Sequence, residues 1–275
     1  MVRNLGLPMK IVSGWLWVCL ALFALWGLAG CAAGPNAGNS RGDMITDSDE
    51  TESSKRARIR LELAVGYFEK GQTTIALDEL KQSINADPGY YEAYNLRGLI
   101  YMRLNDLLLA EESFRRALSI NSKAANVQHN YGWLLCQHSR MPEAEKLFTA
   151  ALANPAYGDR AKTWMALGLC QLKDGQKAAA ETSLLRAYEL DAGNPITGYN
   201  LALLFYQRGD HVRAQFYVRR INNSDLANAE SLWLGIKVER RLGSREAANQ
   251  LAVQLKKRFA QSREAAALDR GAFDE

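Results

Sequence analysis

The chain has 275 residues, of which 48% are hydrophobic and 23% charged, with only 6 Pro. Those values exclude a wholly disordered chain, a collagen-like fibre and a disulfide-dense scaffold, and allow one or two ordinary cores. A net charge of +4, from 34 Lys and Arg against 30 Asp and Glu, gives little reason to expect nucleic acid as a partner, and a single long apolar run excludes a polytopic membrane protein.

Arg3 and Lys10 precede an uncharged apolar run from Ile11 to Leu28. A basic start, an apolar stretch and small residues at its end describe a secretory signal. A run of that length can also just span a bilayer, and the cysteine that follows separates the two readings. Leu28-Ala29-Gly30-Cys31 resembles the bacterial lipobox. The resemblance implies a signal peptide over residues 1–30 and acylation of Cys31, palmitate included. Several acyl chains on one residue anchor stably, because each buried methylene contributes roughly 0.8 kcal/mol. Ala32 stands where lipoproteins retained at the inner membrane usually carry Asp, so the resemblance implies an outer-membrane anchor facing the periplasm. Residues 31–54 are rich in Gly, Asn, Ser, Asp and Thr and nearly free of large apolar side chains. Such a segment cannot offset its ordering entropy and reads as a flexible tether, with an r.m.s. span on the order of 25–30 Å.

From about Ala57 the sequence repeats. A small residue recurs at Ala76, Ala110, Ala144, Ala180, Ala214 and Ala248, with spacings of 34, 34, 36, 34 and 34. Four residues later stands a large apolar one: Leu80, Phe114, Phe148, Leu184 and Val218, with Ala252 in the last unit. Another small residue lies twelve positions upstream at Ala64, Gly98, Gly132, Gly168 and Ala202. Gly71, Gly175, Gly209 and Gly243 mark the turn inside their units. Small residues let two antiparallel helices approach, the large one fills the space between units, and Gly suits the left-handed position that ends a helix. The pattern resembles the tetratricopeptide repeat. It predicts an all-α, right-handed superhelical solenoid of six repeats within residues 55–262, at 57–90, 91–124, 125–158, 161–194, 195–228 and 229–262. Residues 263–275 are expected to form a short cap and a frayed tail.

In this repeat family the second, fifth, ninth and twelfth positions of each first helix usually face a concave inner surface. Here they include Leu61, Val65 and Phe68, then Leu99 and Met102, then His129, Trp133 and Cys136, then Met165 and Leu169, and finally Trp233. Exposed apolar surface of this kind marks a partner site. The expected binding groove is carried by Leu61, Val65, Phe68, Leu99, Met102 and Trp133, and suits an extended peptide or a helix.

No phosphate-binding loop, HExxH or GxSxG motif occurs, and no pair of carboxylates stands out, so no catalytic residue and no cofactor is expected. His129 and Cys136 share a helix face but lack the further ligands that zinc needs, so no metal site is expected. His138 and His211 read as solvated or capping residues. Cys136 and Cys170 lie 34 residues apart on the first helices of adjacent units. Helices that run side by side bring such a pair within disulfide range, and the periplasm is oxidising. The alternative is two buried free thiols behaving as small hydrophobes.

Several runs carry a closer resemblance: Asn130-Tyr131-Gly132-Trp133-Leu134-Leu135-Cys136, Ala166-Leu167-Gly168-Leu169-Cys170, Asn200-Leu201-Ala202-Leu203-Leu204, and Ser231 to Arg240. Together with the lipobox and six repeats, they resemble the PilF/PilW family of type IV pilus biogenesis and stability lipoproteins. The resemblance implies a pilotin that binds the secretin subunit of the pilus machine and promotes its outer-membrane localisation and multimerisation. No nucleic acid or small-molecule substrate is implied. The alternative is a lipoprotein scaffold for periplasmic cell-wall enzymes built from the same repeats.

Overall fold

The computed structural model describes residues 50–273. The chain divides into two units, Met1–Glu50 and Thr51–Glu275. The expected signal peptide, the expected lipidation site Cys31 and most of the expected tether fall outside the described residues.

The second unit is all helical among the described residues. Its first hairpin pairs α1 (Glu52–Glu69) with α2 (Thr73–Ala86). The next two are α3 (Tyr91–Arg103) with α4 (Leu107–Ile120), and α5 (Ala125–Gln137) with α6 (Met141–Leu152). Then follow α7 (Arg160–Lys173) with α8 (Lys177–Leu190), α9 (Pro195–Gln207) with α10 (His211–Asn222), and α11 (Ala229–Arg241) with α12 (Arg245–Arg258). A thirteenth helix, α13 (Arg263–Arg270), closes the array. Each second helix packs on the first helix of the following unit, and first helices of successive units also touch, as α3 touches α5 and α5 touches α7. The result is a superhelical repeat fold.

The recurrent residues do what their sizes require. Ala76, Ala110, Ala144, Ala180 and Ala214 are completely buried, as are Leu80, Phe114, Phe148, Leu184 and Val218. At Gly98 an added Cβ would sit 2.6 Å from the Phe114 ring, and at Gly168 2.7 Å from Leu184. A side chain at either position would push the two helices of its hairpin apart. Arg97 occupies a position that usually holds Leu, and its guanidinium is used in the hairpin. Its Nε donates to Ser113 (2.8 Å), its Nη2 to Glu112 (3.0 Å), and its head lies over Tyr94.

All six intra-unit turns place one residue at positive φ: Gly71, Asn105, Ser139, Gly175, Gly209 and Gly243. Asn tolerates this left-handed position, but Ser139, at φ 61°, adopts it against its own preference. Between the second and third units, Glu111 accepts from Arg140 and from Tyr131, both at 2.7 Å. Burial opposes ionisation of Glu111, yet these hydrogen bonds and the nearby arginines hold its carboxyl below the usual range.

Two expectations require correction. The tether was expected to run to residue 54, but α1 starts at Glu52, because the Thr51 side chain caps the helix by accepting from the Ser54 N–H (3.1 Å). The frayed tail is instead docked. Ser262 caps α13, Ala265 is buried, and Phe273 lies against Trp233 with ring centroids 5.3 Å apart. The Arg240 guanidinium lies over the Phe273 ring, 3.6 Å from its centroid. Trp233 is therefore buried under the chain's own end rather than open on the inner face.

Candidate functional site

The first helices α3, α5 and α7 line a depression of about 480 Å³. Leu99, Met102 and Arg103 come from α3; His129, Asn130, Trp133 and Gln137 from α5; Lys162, Met165, Ala166 and Leu169 from α7. Three of the six expected groove residues, Leu99, Met102 and Trp133, thus share one site. All three keep part of their surface in water.

The other three do not join them. Leu61 and Phe68 pack into the core of the first hairpin with Ala64, Leu80 and Leu96, and Val65 stands exposed beside them on α1. Phe68 is also covered by Arg103, whose guanidinium lies 5.3 Å from the ring centroid and whose Nη1 donates to the Phe68 carbonyl (3.5 Å). The first unit therefore abuts the site through Arg103 but does not line it. Met165 and Leu169 complete the apolar floor at the fifth and ninth positions of their helix. Lys162 sits at the second position, where the repeat's inner-face rule also pointed, though attention to apolar residues alone passes over it.

The floor is held rigidly. Cys136 and Cys170 are joined by a disulfide with Cα atoms 5.8 Å apart, linking α5 to α7 next to the lining residues Gln137 and Leu169. Lys173 adds a second tie, donating to the carbonyls of Cys136 (3.2 Å) and Gln137 (2.7 Å). Asn130 donates to Asn95 across the α3–α5 boundary (3.0 Å). His129 is buried, its Nδ1 2.8 Å from the Thr163 hydroxyl and its ring edge-on to Phe148. Burial chiefly, with the nearby Lys162 charge adding and Asp159 opposing, pushes its pKa down to about 4. His129 is thus a neutral wall of the groove at neutral pH. His138 is the exposed C-cap of α5, and His211 is the first residue of α10, its ring against Tyr206. Among the described residues no group of three or more His, Cys, Asp and Glu side chains is placed to hold a metal ion.

A water-facing apolar depression whose ionisable lining is Arg103, Lys162 and the neutral His129, with no carboxylate among its lining residues, is suited to binding a polypeptide. The comparisons with known proteins agree with such a use. The tetratricopeptide repeat model matches residues 61–125 and 132–195. Type IV pilus assembly protein PilF of Pseudomonas aeruginosa is 27% identical over 233 residues, spanning 85% of this chain and 90% of the relative. The solved structure of Pseudomonas aeruginosa PilF superposes with a TM-score of 0.74 at 26% identity, covering 80% of this chain and all of that one. The crystal structure of PilW, a widely conserved type IV pilus biogenesis factor, gives a TM-score of 0.68 at 30% identity, covering 77% of this chain and 97% of that one. The chain belongs to the PilF/PilW family of tetratricopeptide-repeat proteins of type IV pilus biogenesis.

Proposed function

We propose that this protein is a pilotin: a lipoprotein that binds the secretin subunit of the type IV pilus and promotes its delivery to, and multimerisation in, the outer membrane. The observation that carries this reading is the apolar depression of Leu99, Met102, Trp133, Met165 and Leu169 on a rigid repeat scaffold, in a chain of this family. An aggregation-prone membrane subunit exposes apolar segments in the periplasm, and a groove of this composition can shield one of them. Acylated Cys31 would hold the carrier at the outer membrane, and a tether before Thr51 would raise the local concentration of cargo there. The role needs no chemical step.

The test is genetic and biochemical. Trp133→Asp is expected to leave helix content unchanged and to abolish secretin multimers in the outer membrane, with subunits accumulating as monomers. Normal multimers in that variant, with altered cell shape on loss of the protein, would favour the cell-wall scaffold instead. Cys31→Ser is expected to move the protein out of the outer-membrane fraction; unchanged fractionation would contradict the lipid anchor.

A further inference from the structure

The inner face differs along its length in occupancy and in charge. Over α3, α5 and α7 it is open, floored by Met102, Trp133, Met165 and Leu169, with Arg103 on one wall and Lys162 on the other. No carboxylate lines this depression; Arg103 stacks on Phe68 and donates to its carbonyl, and neither it nor Lys162 is joined to a carboxylate of the described residues. Asp159 acts electrostatically on His129 from the start of α7 but does not line the depression.

At the far end the chain fills the same face itself. Phe273 lies against Trp233 and under Arg240, which occupy the fifth and twelfth positions of the last first helix. It follows α13, a helix of 8 residues whose Glu264 acts electrostatically on Tyr199, the fifth-position residue of the preceding unit. The molecule thus displays what this face accepts. The occupant is a short amphipathic segment, with Arg263, Glu264, Asp269 and Arg270 on its helix, that offers an apolar ring to an aromatic–cation pair.

We infer that the open depression likewise takes a short amphipathic segment of the partner, bearing aromatic, Leu or Met side chains, and that the cationic walls select one whose flanks carry carboxylates. The apolar side chains fill the floor around Trp133, and the carboxylates face Arg103 and Lys162. Apolar burial supplies affinity. These two cations, neither offset by a carboxylate, set orientation and reject basic segments, since a like charge brought beside them is repelled. This inference rests on the reading of the depression as a protein-binding groove and deepens it by naming the ligand's chemistry.

Random linear peptides displayed on phage and panned against the full-length chain in detergent test it directly. The expected selection pairs aromatic, Leu or Met residues with Asp or Glu. A synthetic copy of the strongest binder should lose about tenfold in affinity for the R103E/K162E double variant. Replacing its carboxylates with Lys should restore binding to that variant, a rescue that a merely structural effect of the substitutions would not produce. Selection of basic peptides, selection of none, or equal affinity for the charge-reversed variant would overturn the inference. Failure of the secretin subunit to bind, with acidic apolar peptides still selected in a charge-dependent way, would overturn the partner and leave the groove chemistry standing. Secretin binding that is blind to the charge reversal would overturn the groove chemistry alone.

Discussion

The second to fourth units and the last unit present the same helix register to the inner face and put it to opposite uses. Over α3, α5 and α7 the apolar positions stay open to water, and two of these helices, α5 and α7, are tied together by the Cys136–Cys170 disulfide. On α11 the same positions are covered from above by α13 and Phe273, and no disulfide is present. An open apolar face must be held in shape by something other than its own burial, because its side chains are not covered by packing. The covalent tie in the middle units fills that need. In the last unit the tail supplies the missing burial, as a polar-faced cap does at the end of any solenoid.

The largest expected effect probes the tie. The Cys136→Ala/Cys170→Ala double variant should lose about 2–4 kcal/mol of stability, through a less constrained unfolded chain. Hydrogen exchange should quicken in α5 and α7 and stay unchanged in α11 and α12. Uniform loss across all units would erase the distinction between the two regions.

A somewhat smaller effect concerns pH. His129 has a native pKa of about 4, below the unfolded value, so between the two values the unfolded chain binds a proton that the native chain does not. Stability therefore rises with pH in that window and is lost as pH falls through it, by about 2 kcal/mol between pH 7 and pH 5. Denaturant midpoints of the wild type and of His129→Asn at the two pH values check this. Equal losses in both proteins would show that the histidine is not the source.

The cap is next. Phe273→Ala should cost roughly 1–2 kcal/mol, since the ring gives up partial burial on Trp233 and its contact with Arg240. The change should appear as faster exchange in α11 alone, with a red shift of Trp233 emission. Faster exchange at the disulfide would instead couple the two regions. The smallest effect runs the other way: Ser139→Gly should raise stability by about 1 kcal/mol by removing a left-handed strain. Thermal unfolding of the pair measures it, and a lower midpoint in the glycine variant would contradict the backbone argument.

The 34-residue pitch was legible because its carriers, Ala110 with Phe114 or Ala180 with Leu184, are fully buried and cannot vary freely in size. The turns at Asn105 and Ser139 were not, because a glycine search cannot see a non-glycine residue forced to positive φ. The start of α1 was hidden because Thr51, Ser53 and Ser54 have the composition of a tether, while one of them acts as a cap. In the groove, Leu99, Met102 and Trp133 were found by register, whereas Leu61 and Phe68 share that register but spend their surface on the first hairpin's core. Arg103 and Lys162 escaped notice because charged residues on a helix usually mean only a solvated face. The docking of Phe273 had no signal at all, since a lone aromatic near a chain end has no period to betray it.

Site-specific photo-crosslinking in piliated cells reaches the central claim most directly. A benzophenone side chain placed at Met165, on the groove floor, should crosslink to the secretin subunit, and one placed at Phe216, exposed on α10, should not. A crosslink from Phe216 with none from Met165 would contradict the groove as the working face of the molecule.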